Sequence, residues 1–226
     1  MNHELTIVKT ADGSNTIFNS EVGENYHSRN GALQESRHVF VKSGLEYFLS
    51  ANPQQSSISI LEVGFGTGLN FLLSADFCAD KDINLNYTGI EAYPLSLEMI
   101  SATGYNEYVS AATWESFVDH YQTSLQQPVT VNINAQLHIA DAKLMGFTSA
   151  QEYDVIYFDA FASAHQPEMW NHEAIAHTLS FLKPGGVFVT YAITGNLKRI
   201  IKGLGLKVEK APGAPGKREM LRAIKS

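Results

Sequence analysis

The stretch Glu62-Val63-Gly64-Phe65-Gly66-Thr67-Gly68 decides the fold of this chain. Its first two residues end an apolar run, Ile58 to Val63, which predicts a buried strand that leads straight into the glycines. Glycine lets the backbone turn off a strand and bring its N–H groups against a ligand, because no Cβ stands in the way. The three glycines are spaced two apart and follow an acid, unlike the G-x-G-x-x-G of dinucleotide-binding folds. This spacing is typical of a site for S-adenosylmethionine (SAM), although a strand-to-helix turn without a ligand fits the glycines equally well.

Two later acids favour the ligand site over the plain turn. Asn86 to Glu91 predicts a strand that ends in an acid about 20 residues beyond the glycines, where such folds bind the ribose hydroxyls of an adenosyl ligand. A third apolar segment, Leu137 to Ala140, leads into Asp141, which is suitably placed to accept from the adenine amino group. Acids after three successive strands therefore predict one cofactor site.

The composition predicts a single soluble, cytoplasmic domain. The chain has 226 residues, 44% of them apolar, which suffices to bury roughly 70% of the unfolded surface in one core. Met1 to Ser20 lacks the basic-then-apolar pattern of a signal peptide, and no apolar run reaches the roughly 18 residues of a membrane span. The single cysteine, Cys78, lies in an apolar helical segment and is expected in the core.

Strand-like and helix-like segments alternate along the chain, which predicts an α/β fold. The strand-like runs are Ile58 to Val63, Asn86 to Glu91, Gln136 to Ile139, Tyr153 to Phe158, Gly186 to Tyr191, Gly205 to Lys210 and Glu219 to Ile224. The helix-like segments are Asn70 to Ala79, Pro94 to Thr103, Pro167 to Leu182 and Gly195 to Leu204, with a polar helical insertion from Tyr105 to Pro128. The last two strands are joined by a loop too short for a parallel crossover, so they should form an antiparallel hairpin. A seven-stranded, mostly parallel sheet with such a hairpin is the Rossmann-like topology of class I SAM-dependent methyltransferases.

The fourth predicted strand ends at Asp159 and is followed by Phe161. Ligands of open α/β sheets bind at the carboxyl ends of the strands, which puts Asp159 beside the glycine loop. A carboxylate there suits an amine that attacks a methyl group, and Phe161 can stack on a planar substrate. The alternatives are an N-cap for Asp159 and a core position for Phe161.

Residues 1–50 are predicted to form an N-terminal extension and a first helix that cover the SAM site, with the catalytic core at 51–226. Glu35 and Ser36 lie just ahead of the first core helix and are candidate cofactor contacts. Helix capping by the same two side chains is the equal alternative.

The charge distribution bears on the partner. The formal net charge of −7 is unusual for a nucleic-acid binder. From Leu197 to Ser226, however, nine basic residues oppose two acids, a local balance of about +7. The candidate phosphate contacts are Arg29, Arg37, Lys217 and Arg218. A solvated helix face and hairpin is the alternative interpretation.

The sequence favours no metal and no cysteine chemistry. His165, His172 and His177 lack the compact spacing and the carboxylate partner of a zinc site. Methylation of a pyrimidine at C5 generally needs a cysteine that adds to the ring, and Cys78 lies on the wrong segment for that.

Four stretches together resemble one known family. They are Gly31 to Phe40 (GALQESRHVF), Glu62 to Leu72 (EVGFGTGLNFL), Asp159 to Ala162 with Pro167 to Trp170, and Gly216 to Leu221 (GKREML). The chain is similar over nearly its whole length to the methyltransferase part of MnmC, the family of tRNA 5-methylaminomethyl-2-thiouridine biosynthesis proteins. Many SAM enzymes share the glycine motif, whereas the other stretches are narrower indications.

The resemblance implies methyl transfer from SAM to the aminomethyl nitrogen of wobble uridine in tRNA. Bifunctional members also carry a flavin-dependent domain; no G-x-G-x-x-G occurs here, so no FAD is expected and a separate enzyme would have to supply the aminomethyl substrate. The family's Asp-Gly-Phe-Ala-Pro is Asp159-Ala-Phe-Ala-Ser163 in this chain. Trp170 joins the four basic residues as a predicted tRNA contact. The predicted cofactor contacts are Glu35, Ser36, Glu62, Gly64, Phe65, Gly66, Thr67, Gly68, Asn70, Glu91, Asp141, Ala142 and Asp159.

Other functions remain open on the same sheet. They are a small-molecule amine N-methyltransferase, an aminopropyl transferase resembling polyamine synthases, and a nucleotide-binding module without catalysis.

Overall fold

A computed structural model describes residues 5–226 of the protein, so the first four residues of the Met1 to Ser20 segment lie outside the described part. The N-terminal extension begins with a small antiparallel sheet of β1 (Leu5–Lys9), β2 (Asn15–Asn19) and β3 (Glu24–Asn25). The sequence did not predict this sheet, because its strands are short and partly exposed and carry only a weak apolar alternation.

A continuous helical segment follows the small sheet. It begins as α1 (Ala32–Glu35), takes π-helical geometry over Ser36–Glu46 and ends as α2 (Tyr47–Ala51). The π-helical part packs closely on the central sheet at Gly44, where an added Cβ would lie 3.0 Å from the side chains of both Tyr157 and Val189. This packing fixes the segment against one face of the central sheet.

The central sheet has eight strands within residues 5–226. They are β4 (Ser57–Val63), β5 (Asn84–Glu91), β6 (Val129–Asn132), β7 (Ala135–Asp141), β8 (Tyr153–Phe158), β9 (Leu182–Thr190), β10 (Leu206–Pro212) and β11 (Glu219–Lys225). Their order is β10-β11-β9-β8-β4-β5-β7-β6. The five central strands are parallel, while β6, β10 and β11 pair antiparallel with their neighbours.

Five helices accompany the sheet beyond residue 57. They are α3 (Leu69–Asp80), α4 (Leu97–Ser101), α5 (Ala111–Ser124), α6 (His172–Ser180) and α7 (Gly195–Gly203). Side chains that alternate along the central strands feed a core on each face of the sheet: Tyr157 belongs to one core and Phe158 to the other. All six residues of β8 are buried, as expected for a strand covered on both faces.

The predicted fold class is confirmed. The seven predicted strands, the antiparallel hairpin and the helices are present, with shifted ends. Two details differ. β6 is an eighth strand at the sheet edge, immediately after the predicted insertion. The helix predicted over Pro167 to Leu182 is broken at Asn171, whose extended backbone and side-chain bond to the Ala174 N–H begin α6 after a 3-10 turn.

The parallel strands bring their carboxyl ends to one edge of the sheet. β4 and β8 are in register with Val63 opposite Phe158, and β5 and β7 with Glu91 opposite Asp141. The residues that follow these strands therefore meet, as the crevice rule for open α/β sheets requires. Among residues 5–226, no helix combines the length and apolar character that a bilayer crossing needs.

Gly64 provides a test of this close approach. Its φ is +87°, and a Cβ there would lie 2.6 Å from the carbonyl oxygen of Asp159. We expect Gly64→Ala to lower the free energy of unfolding by roughly 2–4 kcal/mol, because a left-handed conformation and a backbone clash both disfavour alanine. Urea unfolding is the measurement. Gly203→Ala is the matched control, since Gly203 has open space around it and no positive φ; equal destabilisation by both variants would contradict the prediction.

Candidate functional site

Backbone hydrogen bonds hold the glycine loop between β4 and α3 against the end of β5. The N–H groups of Gly64 and Phe65 donate to the carbonyl of Ile90 over 3.0 and 3.2 Å. The Gly66 N–H donates to Oε2 of Glu91 over 2.9 Å. Gly68 has φ +77° and starts α3. The Phe65 side chain is 3% exposed and packs in the core, so Phe65 presents only its backbone at the surface of the loop.

Glu91, Asp141 and Ala142 come together at the next position along the sheet edge. The second oxygen of Glu91 accepts from the Tyr93 N–H over 3.0 Å, and the Ala142 N–H donates to the Glu91 carbonyl over 3.1 Å. Burial raises the pKa of Glu91, although the backbone donors, led by Gly66, act in the opposite direction. Asp141 is exposed beside it. The structure thus brings together the two acids predicted for the ribose and the adenine.

The buried Glu62 and Asn70 and the half-buried Asp159 form a polar group beneath the loop. The Asn70 amide nitrogen donates to Oε1 of Glu62 over 2.7 Å and to Oδ2 of Asp159 over 2.9 Å. The Tyr87 hydroxyl donates to the other Glu62 oxygen over 2.8 Å. Burial and the neighbouring Asp159 raise the pKa of Glu62 well above its ordinary range. Both Glu62 oxygens are therefore engaged within the protein.

Asp159 also faces a cavity of about 260 Å³. Burial, followed by repulsion from Glu35, raises the pKa of Asp159 to about 8, while the hydrogen bond from Asn70 and the charge of Lys217 lower it. Glu24, Glu35 and Asp159 all line this space, together with Tyr191 and Lys217. We call this space the acidic cavity.

Sequence reasoning missed Glu24. Its Oε2 accepts from the Ala162 N–H over 2.9 Å, which fixes the carboxylate next to the segment after β8. Glu24 lies in the two-residue strand β3 of the extension, far from the glycine motif in sequence. No local pattern could have connected it to Asp159; only the packing of the extension does so.

Glu35 and Ser36 do not cap the helix. The N-cap of α1 is Gly31 and has no side-chain cap. Glu35 instead accepts from the Ser28 N–H over 2.8 Å and pairs with Lys217 Nζ over 2.5 Å. Within the described residues, the buried Ser36 hydroxyl has no hydrogen-bond partner. The capping alternative is therefore wrong, while a cofactor contact stays a prediction for both residues.

Tyr26 of the extension lies against the glycine loop. A Cβ on Gly66 would be 2.9 Å from Tyr26 Cδ1, and the Tyr26 ring meets Phe161 edge-on, with centroids 5.1 Å apart. Burial and the charge of Glu91 raise the pKa of Tyr26 to about 12. The ring of Phe161 is thus packed against the extension and only half-buried.

The predicted tRNA contacts differ in their surroundings. Arg29, Arg37 and Arg218 are exposed. Lys217 is engaged by Glu35 and lies 4.2 Å from the centroid of the Tyr191 ring. Trp170 is 7% exposed and donates its indole N–H to the Phe161 carbonyl over 2.7 Å, so most of its surface serves packing.

The histidines do not come together. His177 Nε2 lies 3.0 Å from the carbonyl of Phe147, whereas His165 and His172 are exposed. Residues 5–226 contain no cluster of three or more histidine, cysteine or acidic side chains arranged to hold a metal ion.

An open α/β sheet with a glycine loop and acids at the carboxyl ends of its first strands defines the class I methyltransferase architecture. The model of the S-adenosyl-L-methionine-dependent methyltransferase family matches residues 108–226. The chain therefore belongs to this family and is a SAM-dependent methyltransferase.

The resemblance to MnmC is also confirmed by similar sequences. The chain is 32% identical over 213 residues to the tRNA 5-methylaminomethyl-2-thiouridine biosynthesis bifunctional protein MnmC of Pseudomonas savastanoi pv. phaseolicola, with 87% of this chain and 31% of the relative covered. The protein of the same name from Leptospira interrogans is 31% identical over 216 residues, with 91% of this chain and 33% of the relative covered. The chain thus spans about a third of the length of the curated relatives it matches.

Solved structures share the fold. The crystal structure of MNMC2 from Aquifex aeolicus superimposes with a TM-score of 0.77 at 20% identity, covering 98% of this chain and 70% of that one. DesVI from Streptomyces venezuelae gives a TM-score of 0.51 at 12% identity, covering 85% of this chain and 93% of that one.

The residues present fit SAM. Asn70 Oδ1 and Ser36 Oγ are buried and unpartnered among residues 5–226, so polar capacity remains for a ligand. The carboxyl group of Asp159, with the buried Glu62 behind it, suits a ligand that carries a sulfonium and an ammonium, because a nearby positive charge offsets the cost of ionising an acid that is shielded from water.

The raised pKa of Asp159 makes stability depend on pH. The folded protein keeps a proton that the unfolded chain releases above the ordinary value of 3.8, so stability falls as the pH rises towards about 8. Asp159→Asn removes this dependence, because an amide does not ionise. We therefore expect the melting temperature of the variant, relative to the wild type and without ligand, to increase from pH 5 to pH 8.

Thermal melts of both proteins across that range measure the effect. Asp141→Asn, which changes an exposed carboxylate at the same sheet edge, is the control. If the difference in melting temperature between Asp159→Asn and the wild type stays constant with pH, the prediction is wrong and the pKa of Asp159 is not raised.

Proposed function

We propose that this enzyme transfers a methyl group from SAM to the amine of a 5-aminomethyl substituent on the wobble uridine of tRNA. The uridine is either thiolated at position 2 or unthiolated. The observation that carries the proposal is the acidic cavity beside the glycine loop. Its lining includes three carboxyl groups, those of Glu24, Glu35 and Asp159, and two cations, Lys217, which is paired to Glu35, and the exposed Arg29. Such a cavity favours a cationic group, and an aminomethyl group is largely an ammonium at neutral pH. The names of the similar proteins place them in biosynthesis of 5-methylaminomethyl-2-thiouridine in tRNA.

Asp159 is the proposed proton acceptor. The amine must lose a proton before its lone pair can attack, and an aspartate of ordinary pKa is a poor base for an ammonium. With a pKa of about 8, Asp159 matches an amine far better, so proton transfer costs less. Phe161, packed against Tyr26 and lining the same cavity, is the proposed aromatic wall beside the aminomethyl group.

The cofactor site is proposed on the other side of Asp159. Bound SAM supplies an electrophilic methyl group on its sulfonium. Glu91 and Asp141, with the Ala142 backbone, would hold the adenosine, and the remaining contacts come from the glycine loop and the buried group below it. The proposed residues there are Glu62, Gly64, Phe65, Gly66, Thr67, Gly68, Asn70, Glu35 and Ser36. Alignment of the two reactants supplies most of the acceleration in such transfers.

Residues 1–50 are proposed to cover this site. Tyr26 lies against Gly66, and Glu24 and Glu35 reach the acidic cavity from the same segment. The exposed Arg29, Arg37 and Arg218 are proposed phosphate contacts, with Lys217 as a partner of Glu35 and Trp170 in the wall of a neighbouring cavity. A separate enzyme that produces the aminomethyl group is the proposed source of substrate.

The direct test incubates the protein with labelled SAM and two tRNA pools, one enriched in 5-aminomethyl-2-thiouridine and one lacking it. Label in the first pool alone, recovered as the methylaminomethyl nucleoside by mass spectrometry, is the expected result. No label in either pool, with SAM binding intact, would refute the tRNA assignment; label in a small amine offered alongside would then point to a small-molecule N-methyltransferase.

Variants of two cavity acids test the amine site. We expect Asp159→Ala to lower kcat/KM by about 100-fold or more, since general-base contributions are of that order. Glu24→Gln should raise KM by roughly tenfold through a weaker hold on the ammonium. Glu173→Gln, an exposed acid on α6, is the control. Wild-type kinetics in both cavity variants would remove the acidic cavity from the mechanism.

A further inference from the structure

A second cavity adjoins the acidic one. It measures about 850 Å³ and shares the side chains of Tyr191 and Lys217 with the acidic cavity. Its walls include the apolar side chains of Trp170, Ile193 and Leu197. We call this space the outer cavity. Its volume lies within the usual range for small-ligand sites, about 300–1,000 Å³, whereas the acidic cavity falls below that range. The acidic cavity can therefore take an amine but not the whole molecule that carries it.

The wall between the two cavities is held firmly. The Tyr191 hydroxyl donates to the Ala160 carbonyl over 2.9 Å, and the ring packs edge-on to Trp170 with centroids 6.0 Å apart. Lys217 lies over the same ring. A methyl acceptor bound in the outer cavity must therefore reach Asp159 past the fixed ring of Tyr191. A molecule with a flat ring and a short substituent fits this path.

The rim of the outer cavity carries one available positive charge. Arg218 is exposed and forms no ion pair with any other residue of the 5–226 range. The acid next to it, Glu219, lies 3.5 Å from Lys210. The side chains of Asn171 and Thr194 accept from N–H groups at the starts of α6 and α7, so these oxygens are already used. The positive charge of Arg218 at the rim thus complements an anionic group of a ligand that lies on the apolar wall of the outer cavity.

We propose that the outer cavity binds the acceptor nucleotide itself: the pyrimidine ring and ribose lie on the apolar wall, an adjacent phosphate lies on Arg218, and the aminomethyl group extends past Tyr191 into the acidic cavity. This assignment rests on the proposed function and adds the location of the base and of the phosphate. An apolar wall with a guanidinium at the rim fits a nucleotide, since bases stack on apolar and aromatic surfaces and arginine binds phosphate.

The test compares two acceptors, the nucleoside 5-aminomethyluridine and a trinucleotide with the same residue at its centre. Ile193→Trp places a bulkier ring in the wall of the outer cavity, where it obstructs the proposed base position, and should raise KM at least about tenfold for both acceptors. Arg218→Ala should raise KM about tenfold for the trinucleotide alone, because the nucleoside has no phosphate. Ile133→Trp and Lys81→Ala are the matched controls: Ile133 is 93% exposed and Lys81 follows α3 at the opposite end of the strands. Thermal melts verify folding of all four variants.

Three outcomes separate this proposal from the function on which it rests. Methylation of both acceptors with unchanged KM in Ile193→Trp and Arg218→Ala would overturn the outer-cavity assignment and leave the function standing. A KM increase of equal size for nucleoside and trinucleotide in Arg218→Ala would overturn the phosphate contact. If the wild type methylates neither acceptor, binding of an unmodified uridine trinucleotide is measured by calorimetry. Binding by the wild type that both variants lose would support the outer-cavity assignment although the proposed function fails. Absence of binding by the wild type would overturn the outer-cavity assignment.

Discussion

The amide of Asn70 is the interaction on which the site depends. One nitrogen donates to both Glu62 and Asp159, over 2.7 and 2.9 Å, and so joins the end of β4, the first turn of α3 and the end of β8. These two hydrogen bonds require the glycine loop to pass close to the backbone of Asp159. Gly64 permits this approach because it has no Cβ to meet the Asp159 carbonyl. Burial raises the pKa of both carboxyl groups; the neighbouring Asp159 adds to the effect on Glu62, and Glu35 adds to the effect on Asp159. The arrangement is therefore completed by a proton or by a cationic ligand.

The two sides of the site come from different parts of the chain. The proposed cofactor side is built from the ends of β4, β5 and β7, which the parallel sheet brings to one edge. The proposed acceptor side combines Asp159 with Glu24 and Glu35 from the extension and with Lys217 from the hairpin loop. The ion pair between Glu35 and Lys217 connects residues 182 positions apart. The ion pair links the N-terminal segment and the C-terminal hairpin at the acidic cavity, so a change in either segment acts on the lining of the same cavity.

Much of the fold could be predicted because the central strands are buried on both faces and leave continuous apolar runs, as in Tyr153 to Phe158. The acids Glu91 and Asp141 could be placed because each ends a strand-like segment, and parallel strands end at a common edge. The three-stranded N-terminal sheet and β6 could not be predicted, since short, half-exposed strands leave little periodicity. The single helix predicted over Pro167 to Leu182 is broken in the structure, because local sequence does not show that Asn171 adopts an extended backbone and caps the second part.

The sequence by itself determined the sheet, its hairpin, the glycine loop and the family, because each depends on local residue types and on short-range spacing. Only the tertiary structure decided that Glu24 joins Asp159, that Glu35 binds Lys217 and the Ser28 backbone rather than capping a helix, and that Tyr26 packs on Gly66. It likewise decided that Lys217 is paired while Arg218 is free within residues 5–226. These contacts join segments far apart in the chain, and their geometry depends on how the extension and the hairpin pack on the sheet, which no local pattern of residues encodes.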